Sequence, residues 1–175
     1  CLGGAFLFPR IDFGSSPRDP YGWYATLDLD DGTRVRVGAD TDGKDLRPAI
    51  TRLAADGKVL WLRSYGRMGE GGHGIFHAVA ARPDRGVLVA SGEKGFTTLG
   101  LLGFDAAGAL RWAEELELPA KAAGKVQVIA ADDGAIAWVP VEEKGGVLRL
   151  FVARIDGLGA VRWASTWNLS GDVRT

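Results

Sequence analysis

One cysteine, Cys1, stands in the 175 residues, so no disulfide can form within the chain and redox compartment cannot be read from it. Neither sign of charge is in excess: 21 Lys and Arg face 22 Asp and Glu, a net charge of −1. Without a phosphate-neutralising surplus, nucleic acid is excluded as the default partner. The longest unbroken run of apolar residues and glycine, 1–8, ends at Pro9-Arg10, well short of the ~18–20 residues of a membrane span. Helical periodicity is also missing. No segment sustains apolar residues at i, i+3, i+4 and i+7, and 110–118 comes closest. The chain is instead rich in turn formers and indoles, with 26 Gly, 7 Pro and 6 Trp. At 46% hydrophobic and 25% charged residues, it has the composition of a folded protein.

Three of the tryptophans, Trp61, Trp112 and Trp163, fall at intervals of 51 residues, each four residues after a glycine. The strings are Gly57-Lys58-Val59-Leu60-Trp61, Gly108-Ala109-Leu110-Arg111-Trp112 and Gly159-Ala160-Val161-Arg162-Trp163. Such self-similarity marks an internal repeat. With this anchor set, β-prone runs align at 23–27, 76–80 and 126–130, each closing on Asp31-Gly32, Asp84-Arg85-Gly86 or Asp133-Gly134. Asp-Gly between such runs signals a hairpin, glycine supplying the positive φ of the tight turn. Second runs follow at 34–37, 87–90 and 135–139, third runs at 49–53, 99–104 and 148–155, and fourth runs at 58–65, 109–116 and 160–167. Arg34-Val35-Arg36-Val37 alternates, so one face is wet and the other buried. Four hairpin-linked strands per repeat read as a β-propeller blade, and the turns are too close to admit crossover helices. The expected fold is all-β, an array of three four-stranded antiparallel blades at 22–65, 75–118 and 125–169. Residues 1–21 form an N-terminal segment, read as a strand of a preceding blade because Phe8-Pro9-Arg10-Ile11-Asp12-Phe13-Gly14 is similar to 152–159. Propellers close with 4–8 blades, so three are expected to belong to a larger one, as the missing initiator Met and the end at Thr175 also suggest.

The string Gly86-Val87-Leu88-Val89-Ala90-Ser91-Gly92, with 101–112 after it, resembles the repeats of bacterial extracytoplasmic β-propeller proteins. These occur in predicted lipoproteins and secreted surface proteins, mostly without assigned activity. The turn and Trp are also similar to the tryptophan-docking motif of pyrroloquinoline quinone-type propellers. Here no Thr precedes Gly57, Gly108 or Gly159, the spacing to Trp is one residue shorter, and the period is longer than the ~40 residues usual there. The resemblance covers about 150 residues and implies fold, not chemistry. The repeated indoles are expected to fill the space between neighbouring blades, whereas Trp138 and Trp167, which do not repeat, are candidates for surface contacts.

Several strings imitate functional motifs. Gly69-Glu70-Gly71-Gly72-His73-Gly74 matches a dinucleotide fingerprint literally, but it precedes a strand closed by Pro83, where no phosphate-facing helix can start. His73 and His77 are the only histidines, and no third zinc ligand accompanies them. Ser91-Gly92 lies at a strand end without a nucleophile elbow. The acidic strings Asp28-Leu29-Asp30-Asp31-Gly32 and Asp40-Thr41-Asp42-Gly43-Lys44-Asp45 could gather Ca²⁺ oxygens, yet they lack the closing glutamate and read as solvated turns. Hence no catalytic, cofactor-binding or metal-binding residue is assigned, and no cofactor is expected. Cys1 before Leu2-Gly3-Gly4 fits the lipid-bearing first residue of a mature bacterial lipoprotein. The expected function is non-catalytic: a binding or scaffold module of a cell-envelope or secreted protein, located outside the cytoplasm. Its expected partner is a protein or glycan, with membrane attachment only through Cys1. The alternatives are a quinoprotein-like dehydrogenase and an outer-membrane assembly scaffold lipoprotein. Open terminal blades are further expected to self-associate, since little net charge keeps copies apart.

Overall fold

A computed structural model describes residues 21–41, 46–65, 75–92 and 95–169. The described chain is all-β and contains no helix. The first sheet is a meander of β1 (Tyr21–Asp28), β2 (Arg34–Thr41), β3 (Leu46–Leu53) and β4 (Val59–Ser64). The second runs through β5 (Phe76–Ala81), β6 (Val87–Ser91), β7 (Thr98–Phe104) and β8 (Leu110–Glu117). After a two-residue strand, β9 (Lys121–Ala122), the third follows as β10 (Gln127–Ala131), β11 (Gly134–Glu143), β12 (Val147–Asp156) and β13 (Val161–Asn168). All pairings are antiparallel between sequence neighbours except β9, which pairs with β11 beyond the end of β10. β9 was not foreseen, being too short to carry an alternating pattern. It also explains how Pro140 sits inside a central strand. Pro140 falls in the gap between the β10 and β9 pairings, where a missing N–H interrupts no ladder.

The sheets pack face to face in chain order, first on second and second on third, and do not close into a ring among the described residues. Burial follows from this order. The second sheet is covered on both faces, so β5 and β6 read as nearly continuous apolar runs. Its Phe76, Val79, Val89 and Phe104 pack with Val35, Val37 and Ile50 of the first sheet. Its Leu88, Ala90, Leu99 and Leu101 pack with Val128, Val139, Phe151 and Ile155 of the third. β2 is covered on one face only and alternates accordingly: Val35 and Val37 are fully buried while Arg34 is exposed.

The hairpin glycines play a different part from the one expected in two of the three repeats. Gly32 does take a left-handed φ of 78°, but in the second repeat Arg85 takes it, at 62°. Gly86 and Gly134 are instead required by close approach. A side chain at Gly86 would overlap the Phe104 carbonyl, and one at Gly134 the Ile155 carbonyl, each on the neighbouring strand. Gly38 is pressed the same way against the Gly22 carbonyl. Gly38→Ala should therefore cost about 1–3 kcal/mol by forcing two strands apart, read as a lowered urea midpoint. At Gly32, with open space around it, alanine should cost about 1 kcal/mol for the backbone alone.

Candidate functional site

Two arrangements bring side chains from different sheets together. The first is the contact between sheets at the repeated tryptophans. In each sheet one cross-strand row ends on a Trp: Leu27, Val35, Arg52 and Trp61; Ala80, Leu88, Gly103 and Trp112; Ile129, Ile136, Arg154 and Trp163. The Trp61 ring lies against Gly108 of the second sheet, and its Nε1–H donates to the Ala106 carbonyl at 3.3 Å. The Trp112 ring lies against Gly159 of the third, and its Nε1–H donates to the Gly157 carbonyl at 3.2 Å. Both glycines are left-handed, with φ of 78° and 93°, and a Cβ at either would come within 2.7 Å of the indole. Each indole thus rests on the turn of the following repeat, half-buried at the edge of the inter-sheet core, and not on the glycine four residues before it. Trp163 has no such neighbour among the described residues and is 45% exposed.

An arginine reinforces each junction. Arg52, 5% exposed, donates to the Ala106 carbonyl at 2.9 Å and the Arg85 carbonyl at 3.3 Å, while its own sheet holds it through Asp31 at 2.6 Å and Thr33. Pairing with a carboxylate and several acceptors is what permits a guanidinium to be buried. At the second junction Gly103 stands where Arg52 would be, because the Trp112 ring occupies the space of a side chain there. Arg82, from the β5–β6 turn, reaches the Gly157 carbonyl instead, at 3.3 Å.

The receiving turns are held by aspartates. Asp105 accepts N–H bonds from Ala107 and Ala109, with Arg111 at 2.9 Å, and these hold its carboxyl below the ordinary 3.8, Ala109 contributing most. At Asp156, burial opposes ionisation, but the N–H groups of Ala160 and Leu158 and the Arg162 charge outweigh it and the pKa is again lowered. The first repeat keeps the backbone bonds of this turn, Gly57 N–H to Ala54 and Ala54 N–H to Lys58, but has Ala54 in the aspartate's place.

The second arrangement lies at β1, β5 and the start of β10, the first strands of the three sheets. Tyr24 and His77 are the extra residues of bulges in β1 and β5, which re-aim their side chains out of the alternation. Their rings meet edge to face at 5.2 Å, and Lys125, just before β10, places Nζ 5.4 Å from the Tyr24 ring centre. One side chain from each sheet thus joins a phenol, an imidazole and an ammonium. Sequence reasoning missed this cluster. Its signal is position alone, since all three residues lie near the start of the first long strand in their repeats.

Cys1, His73, the 69–74 glycine string and Asp42 to Asp45 lie outside the described residues. The other acidic string is engaged internally: Asp28 pairs with Arg34, and Asp31 bonds Thr33 and Arg52. Among the described residues no three His, Cys, Asp or Glu converge as metal ligands. Trp138 is half-buried on the outer face of the third sheet, and Trp167 is 60% exposed there. No family model matches the chain, and no curated protein matches it.

Trp112→Ala should destabilise the chain by about 3 kcal/mol, whereas Trp163→Ala should stay within about 0.5 kcal/mol by denaturant unfolding. Acid supplies a second check. Because Asp105 and Asp156 ionise more readily in the folded chain, their contribution is complete above about pH 3.8 and is lost as pH falls through the lower folded value. Melting temperature should drop over that window, and Asp105→Asn with Asp156→Asn should flatten the drop.

Proposed function

We propose that the three sheets are neighbouring blades of a larger β-propeller, and that the chain is a non-catalytic binding or scaffold module of a bacterial cell-envelope or secreted protein. The carrying observation is the docking contact made twice in the same register, Trp61 on Gly108 and Trp112 on Gly159. It supports an array in which each repeat positions the next, as blades in a ring require. The resemblance to extracytoplasmic propeller repeats points the same way. In such an array the innermost strands line the axis, and half-buried Tyr24, backed by buried His77 and with the exposed Lys125 ammonium over its ring, offers an aromatic and cationic contact for a protein or glycan ligand.

The competing reading is a quinoprotein-like dehydrogenase. Incubation with pyrroloquinoline quinone and Ca²⁺, followed by dye-linked alcohol oxidation, separates the two. The module reading expects no turnover above the protein-free control, and steady turnover overturns it. Under the same reading, retention on a panel of purified envelope proteins and cell-wall glycans should weaken on Tyr24→Ala.

A further inference from the structure

The two outer sheets present the separated halves of the contact that joins the inner ones. On the third sheet, Trp163 and Arg154 form a cross-strand pair facing away from the second, as Trp61 and Arg52 do on the face that meets it. Arg154 is paired with Asp133, as Arg52 is with Asp31. This half is assembled, and its indole is exposed. On the first sheet, the 54–57 turn has the same backbone hydrogen bonds as the two receiving turns. Gly57 has the same left-handed φ, 84°, and no atom of the described residues stands within 4 Å of where its side chain would be. Beside it lies a recess lined by Asp28, Arg34, Arg36, Leu53, Ala55 and Gly57, among others.

A second observation bears on what fills these halves. Next to the Trp row at the first junction, the facing rows are aliphatic: Val37 and Ile50 on one side, Val79, Val89 and Leu102 on the other. The corresponding rows at the two outer faces hold Trp138 and Val152 on the third sheet and Thr26, Arg36 and Thr51 on the first. At the row positions of Val37 and Val89, two members of one buried cluster, the outer faces carry an aromatic ring and a guanidinium, a pair that attracts. At this one position the two outer faces complement each other, as an aliphatic partner would not.

We propose that the third sheet of one copy docks on the first sheet of a second copy, with Trp163 on Gly57, its Nε1–H on the Ala55 carbonyl, and Trp138 against Arg36. The interface is head to tail, so each copy uses both of its ends. Two copies joined this way make six sheets, within the range in which propeller rings close. The inference goes beyond the module reading. It depends on register between sheets and not on any ligand.

Two variants of the 175-residue chain test it. Trp163→Ala removes the indole. Gly57→Asn fills the recess with a residue that tolerates the left-handed backbone. Both sites are open to solvent, so at concentrations where the parent is a single chain both variants should melt as it does. In analytical ultracentrifugation the parent should pass with concentration from 18.6 kDa to twice that mass. Each variant alone should associate at least tenfold more weakly. Mixed, they should recover a one-to-one species, because the intact Gly57 end of one meets the intact Trp163 end of the other. A parent that stays at one chain mass throughout overturns the proposal. So does Gly57→Asn associating as strongly as the parent, which would mean that third sheets pair with each other. A mixture that stays monomeric while both variants melt normally overturns it as well. None of these outcomes bears on quinone turnover, so the two proposals fail separately.

Discussion

The indole of one sheet lying on a glycine turn of the next is the contact on which the arrangement depends. Sheets that pack by aliphatic side chains alone can slide, because burial is non-directional. A ring that requires a missing Cβ beneath it and a carbonyl at its Nε1–H fits one place only. Here it fixes both register and spacing, at Trp61 with Gly108 and at Trp112 with Gly159. The Asp105 and Asp156 carboxylates keep the receiving turn in shape, and an arginine from the preceding sheet bonds the same carbonyl as the indole. The buried valines then add energy to a geometry already specified.

The bulges at Tyr24 and His77 do in the first strands of their sheets what the turns do near the last ones. Each breaks the alternation by one residue and sets a polar ring, half-buried at Tyr24 and buried at His77, against the ring of the other sheet. Without the bulge, His77 would fall on a face that is apolar on both sides of it. A chain with two covered faces on its middle sheet can place polar side chains only at edges, turns and bulges, and the two clusters described here use all three.

Much of this was legible in the sequence. The period carried by Trp61, Trp112 and Trp163 located the repeats, and the β-prone runs located twelve of the strands within a few residues. The Arg34 to Val37 alternation correctly marked β2 as covered on one face. Other features had no local signal. Trp61 and Gly108 are far apart in the chain, so the motif that looks like one unit, glycine then tryptophan, consists of parts that serve two different junctions. Arg52 looks like an ordinary strand-end arginine until the Arg85 and Ala106 carbonyls are brought to it. Gly86 and Gly134 read as turn formers because sequence shows the turn and not the carbonyl of the paired strand beside it. The Tyr24, His77 and Lys125 cluster needed three repeats to be superposed in space.

The exchange of Arg52 for Gly103 at the second junction has a consequence for how repeats recognise their neighbours. The first sheet sends its guanidinium from β3, the second from a hairpin turn, and each carbonyl set is positioned for its own donor. The repeats are therefore not interchangeable. Transposing the second and third would bring Arg52 to the Gly157 turn, where Arg82 now bonds, and would leave Arg82 and Trp112 without the carbonyl they share. The order of the sheets is written into their surfaces, so that a chain of near-identical units still has a direction and a unique sequence of assembly.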